Sequence, residues 1–170
     1  MARLAPWLLL VLIVVAAPGS DAAECAGSDR VRYSATDPNR MAKISVTAVS
    51  SDSPELAPLG SLPKLESPHG TRWLIARDPD FTREGPWTTI LYVFGNRVNA
   101  GILRIQFHDH GNGGVHEKWV NEKLLAADVW WGRILSTDLV LNVETGKWIY
   151  AEEADYSVTI QPCEDKRVEK

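Results

Sequence analysis

Three of the chain's four histidines, His108, His110 and His116, fall within nine residues. Imidazole is the commonest side-chain ligand for zinc, copper and iron, and such ions need three or four donors converging on one point. His108 and His110 lie two apart in Ile102 to His110 (ILRIQFHDH), where apolar and polar residues alternate. A strand sends residues i and i+2 to the same side, so the two imidazoles are expected side by side. Gly111-Asn112-Gly113-Gly114 follows, and Asn-Gly accepts the positive φ angles of a tight reversal. A hairpin there sets His116 beside His110, or Glu117 opposite His108, according to register. His108, His110 and His116 are therefore the candidate ligands of a divalent transition metal. The competing reading is two solvated histidines on the polar face of a strand. No other cofactor is called for.

Tryptophan is the second chemical signal. Six lie beyond Trp7: Trp73, Trp87, Trp119, Trp130, Trp131 and Trp148. Most are expected to fill the interior. Adjacent strand residues point to opposite faces, so Trp130 and Trp131 cannot enter the same core. One of the two is left to face solvent, a second layer or a ligand such as a sugar ring, and the pair are the candidate ligand-binding residues.

Catalytic signatures are missing: no GxSxG elbow, no phosphate-cradling glycine loop and no HExxH helix. Ser136-Thr137-Asp138 reads as a turn. Glu152, Glu153 and Asp155 read as the solvated end of a strand. No catalytic residue is assigned, and no carboxylate spacing marks a glycosidase pair.

The elements that must hold these residues are strands. Lys43 to Val49 (KISVTAV), Thr71 to Ala76, Trp87 to Phe94 (WTTILYVF) and Ile102 to His110 carry period-two patterning or β-branched and aromatic runs. Val115 to Val120, Val129 to Leu135 and Tyr156 to Gln161 are further strands. Leu139 to Val143 and Lys147 to Glu152 form a hairpin about Thr145-Gly146. On it Trp148 and Tyr150 are expected to share the face of Leu139, Leu141 and Val143, with Ile149 and Ala151 opposite. Both faces are partly apolar, which places the hairpin inside a sheet system. Ser50 to Gly70 holds Pro54, Pro58, Pro63 and Pro68 and reads as a long surface loop. Glu117 to Ala127 is the one stretch of helical composition. Eight or nine short strands at regular spacing imply an all-β single domain, an antiparallel sandwich or barrel.

Residues 1–22 read as a signal peptide: Met1-Ala2-Arg3, a charge-free run from Leu8 to Ala17, then Pro18-Gly19 and small residues before a cut after Ala22. The run is shorter than the ~20 residues that cross a bilayer. Residues 23–170 then form the domain, with no transmembrane segment after signal removal. Its net charge stays near −4, which gives no electrostatic reason to bind nucleic acid. The two cysteines, Cys25 and Cys163, are expected to pair as a disulfide in an oxidising compartment. The chain is thus expected to be a secreted or periplasmic, non-catalytic β-domain. It would bind an unidentified ligand or an envelope or extracellular protein. The alternatives are a metal-binding protein or metal-dependent enzyme using the histidines, and a docking protein using the 50–70 loop.

Overall fold

The computed structural model describes residues 31–95 and 101–157. The signal segment and both cysteines lie outside the described residues.

Ten strands form two five-stranded antiparallel sheets. One, sheet A, runs β1 (Arg32–Ala35), β10 (Lys147–Asp155), β9 (Leu135–Asn142), β8 (Leu124–Trp130), β7 (Val115–Trp119). The other, sheet B, runs β2 (Ile44–Val49), β6 (Ile102–His110), β5 (Trp87–Gly95), β4 (Arg72–Arg77), β3 (Leu65–Glu66). The expected all-β sandwich is present. A short helix, α1 (Pro38–Met41), joins β1 to β2 and is capped by Asp37, which accepts from the Asn39 N–H at 2.9 Å.

Between the sheets Leu91, Ile105, Phe107, Val129 and Leu141 are fully buried. Each contributes about 1.5–3 kcal/mol. Trp119, Trp131 and Trp148 pack at the margins of this core.

Strands arise where alternation and β-branching were read, but three readings change. Glu117 to Ala127 is not helical. It supplies the end of β7, a turn and the start of β8, because Val115, Glu117 and Trp119 point inward opposite Val129, Ala127 and Leu125. Ser136-Thr137-Asp138 lies inside β9, and the reversal falls earlier, at Trp131 to Ile134. Ser50 to Gly70 is not a free loop. Pro54–Ser61 forms a 3-10 helix that lays Leu56, Leu59 and Leu62 over Ile75, Tyr92 and Ile102 on the outer face of sheet B. Glu55 ties it down by accepting from the Tyr92 hydroxyl at 2.9 Å and pairing with Arg104 at 3.3 Å. The prolines stiffen this roof because they reduce the freedom lost when it is ordered.

Two β-bulges set which residues face where. In β6, His110 pairs with Trp87 and Phe107 with Thr89, so three steps of β6 run against two of β5. Asp109 absorbs the extra residue with φ of 54°. In β10, Trp148 pairs with Leu141 and Tyr150 with Val140, which leaves Ile149 unpaired and exposed. A bulge reverses the inside–outside phase of everything beyond it. Trp148 therefore stays inside, while Tyr150 is turned outward with Val140 and Ala151 inward with Leu139.

Candidate functional site

The bulge at Asp109 decides the fate of the histidines. His108 keeps the outward phase of Gln106, whose amide lies 3.2 Å from its Nδ1. His110 is turned into the sandwich and is only 2 % exposed. Its Nδ1 stands 2.8 Å from the Gly111 carbonyl, which can only accept, so Nδ1 carries the proton. Its Nε2 stands 3.0 Å from Oγ1 of the buried Thr89, and that hydroxyl is also 3.2 Å from Asp78. Both ring nitrogens are thus engaged within the protein.

Gly111 to Gly114 does not close a hairpin between β6 and β7. It carries the chain from sheet B to sheet A: the Gly111 N–H donates to the Trp130 carbonyl, and the Trp130 N–H to the Gly114 carbonyl at 3.0 Å. His116 consequently lies on the outer face of sheet A, 3.8 Å from Asp128. The three imidazoles occupy three separate surfaces. Among the described residues no group of three or more histidine, cysteine or acidic side chains is placed to hold a metal ion.

The tryptophan pair divides, although Val129 to Leu135 is not one strand: β8 ends at Trp130 and Trp131 opens the reversal. Trp131 turns toward the core, donates to Thr137 Oγ1 at 2.7 Å and lies under Arg40 and Lys43. Trp130 turns outward and stacks on Tyr156 with ring centroids 4.9 Å apart. A Cβ on Gly113 would sit 2.7 Å from the Trp130 Cβ, so glycine there lets the crossing chain press against the indole and fix it.

Around Trp130 the outer face of sheet A carries an acidic row. Asp128 on β8 stands directly opposite Asp138 on β9, and Asp138 opposite Glu152 on β10. Like charges in direct cross-strand register cost about 0.2–1 kcal/mol per pair. Asp128 Oδ2 accepts from Trp130 Nε1 at 2.8 Å, while Oδ1 is buried with no donor among the described residues. Burial first, then Asp128 and Glu152, push the Asp138 carboxyl above its usual range, with Lys118 opposing. Tyr150, delivered outward by its bulge, donates to Glu152, which pushes its phenol up to about 12. Tyr33 on β1 adds an exposed ring across from Ala154. His116, Lys118, Asp128, Asp138, Val140 and Tyr150 line a groove of about 450 Å³ here.

The chemistry of this face is acceptance. Carboxylates in excess over the nearby Lys118 and His116, set between aromatic rings, take cationic or hydroxyl donors, and the rings present electron-rich faces to a cation. Asp128, Asp138, Glu152 and Tyr150 were not marked as site residues by spacing. Their one sequence signal is that acids are depleted from strand interiors, yet Asp128 and Asp138 interrupt LLAADVW and LSTDLVL. The face also contrasts with its counterpart. The 3-10 helix roofs the outer face of sheet B, whereas on sheet A the Tyr156 ring packs on Trp130 at one end of the acidic row. No helix of the described residues is long and apolar enough to cross a membrane. Comparison with protein-family models, with curated proteins and with solved structures finds no match to this chain.

Proposed function

We propose that the chain is an exported, non-catalytic β-sandwich that binds a partner bearing basic groups on the outer face of sheet A. The observation that supports this most is the in-register row Asp128–Asp138–Glu152, flanked by Trp130 and Tyr150. The row destabilises the free protein, and a cationic partner removes that cost. Sites optimised for a ligand commonly keep such local conflict at the expense of stability.

Export rests on the opening hydrophobic segment, and it makes an oxidised Cys25–Cys163 pair part of the same reading. β1 pairs with β10 through Arg32 and Asp155. Cys25 lies seven residues before Arg32, and Cys163 eight after Asp155, so the two chain flanks leave the fold together. A bond there would close a long loop, worth about 2–4 kcal/mol. N-terminal sequencing of the native product and alkylation before and after reduction check both points. Retention of Met1, or two free thiols, overturns them.

Binding is tested by titrating an oligo-arginine peptide against the wild type and against Asp128→Asn/Asp138→Asn. The comparison protein is Glu66→Gln/Glu84→Gln, which loses the same charge at exposed positions elsewhere. Loss of affinity in the first variant alone supports the face. Equal loss in both reduces the effect to net charge and refutes it.

A further inference from the structure

We infer that the open edge of the sandwich between β4 and β7 is a second binding site, fitted to an aliphatic chain that ends in a single cationic amine. It opens on the inner side of the sheets and shares with the groove at the acidic row only Glu117, which lines both.

The opening follows from the sequence of β3. Leu65 pairs with Leu74 and Glu66 with Trp73, and the ladder stops there. Continuing the register brings Pro63 in line with Ala76, and proline has no N–H to extend the pairing. Beyond that point the edge of β4 away from β5 has no strand beside it among the described residues. What results is a cleft of about 700 Å³, in the range of small-molecule sites.

Its walls are Leu62, Leu65, Leu74 and Ala76. Its charged lining is Asp78 and Glu117 together with Lys64 and Arg77, and the alternation of β3 and β4 turns the two bases to the opposite side from Leu65, Leu74 and Ala76. Glu117 points inward because β7 alternates Val115, Glu117 and Trp119 toward the core. Its carboxyl accepts from its own backbone N–H; burial first, then the nearby Asp78, push it above its usual range, with that bond and His116 opposing. Asp78 Oδ1 stands 3.2 Å from the Thr89 hydroxyl, whose one proton goes either to it or to His110 Nε2. One edge is closed by Trp119, whose indole N–H donates to the Leu65 carbonyl at 3.0 Å. Lys64, at the rim, is drawn away over the Trp73 ring, 5.6 Å from its centroid.

An apolar channel with two acids on its inner side is complementary to an alkyl chain and an ammonium head. The chain replaces water on Leu74 and Ala76, and the head supplies donors to both carboxylates. An anionic head would meet two like charges in a half-dry cleft.

Calorimetric titration of the full chain with octylamine, octanol and octanoate tests the assignment. Octylamine is expected to bind one to one and at least about tenfold more tightly than octanol, the yield of one charge-assisted hydrogen bond. Octanoate is expected to be weakest. Glu117→Gln and Asp78→Asn should remove the amine's advantage and leave octanol binding unchanged. Ala76→Phe, which fills the channel, should abolish binding of all three; circular dichroism and Trp119-region fluorescence report whether each variant is folded. Saturable binding of none, equal affinity for amine and carboxylate, or binding that survives Ala76→Phe in a folded variant overturns the proposal.

Discussion

Replacing Asp138 by asparagine should make the protein more stable while weakening its binding face. Asp138 sits between Asp128 and Glu152 in direct cross-strand register. Two like-charge pairs at ~0.2–1 kcal/mol each set the relief at about 1 kcal/mol near pH 7. The new amide also offers a donor to the buried Asp128 Oδ1, which has none among the described residues. For a domain of this size the gain corresponds to roughly 3–5 °C in Tm.

The pH dependence fixes the cause. Burial and its two acidic neighbours raise the folded-state pKa of Asp138 above its unfolded value. A raised carboxyl favours the native state at low pH and loses that contribution as pH rises through the folded value. Asparagine has no such loss. The variant's advantage should therefore be full near pH 7 and shrink as pH falls through the raised folded value of Asp138. Denaturant unfolding of both proteins at several pH values measures it. An advantage of the same size at every pH, or a variant less stable at pH 7, would refute the electrostatic account of the row.

Glu122, in the β7–β8 turn, accepts from Thr71, Ser67 and the His69 N–H and is held at about 2, chiefly by Thr71. Its folded value is depressed, so its contribution is present above the ordinary glutamate range and lost as pH falls toward 2. Glu122→Gln should lower the denaturant midpoint at pH 7, with the difference from wild type narrowing below pH 4. Thr89→Val keeps the side-chain shape but leaves His110 Nε2 and Asp78 without their shared hydroxyl. Unfolding should show a loss of about 1–3 kcal/mol, the cost of buried groups left unpaired; an unchanged midpoint contradicts the buried chain. Because Glu152 holds its hydroxyl, Tyr150 should ionise near 12, so ultraviolet titrations of wild type and Tyr150→Phe should differ little in phenolate signal below pH 11 and diverge above it.

Much of the fold was legible because burial writes itself as alternation. Ile105 and Phe107 against Arg104 and Gln106, or Leu139 and Leu141 against Asp138 and Val140, fix strands and faces without tertiary knowledge. The hairpin at Thr145-Gly146 was equally plain, and β9 and β10 do lie inside sheet A. The misread parts share one cause, since each depends on a contact distant in sequence. Asp109 and Ile149 look like ordinary strand residues, yet each is the extra residue of a bulge, visible only from the partner strand. Those two insertions move His110 inward and Tyr150 outward, undoing the expected histidine cluster and building the acidic face. Gly111 to Gly114 has the residues of a hairpin turn, but its donors and acceptors go to Trp130 on the other sheet. The proline-rich segment read as loop because its apolar residues follow no period, although Leu56, Leu59 and Leu62 reach one surface of sheet B. The acidic row was hidden for the same reason: Asp128, Asp138 and Glu152 meet only through strand pairing. Of the site residues named from sequence, Trp130 stands on the proposed face, and His116 at its margin.

The most direct test of the binding face is a two-dimensional amide spectrum of isotope-labelled protein recorded during titration with the oligo-arginine peptide. The largest shifts should fall on Asp128, Asp138, Tyr150 and Glu152 and on the Trp130 indole N–H, which Asp128 accepts. Shifts centred on the roofed face of sheet B, or none at saturating peptide, would contradict it.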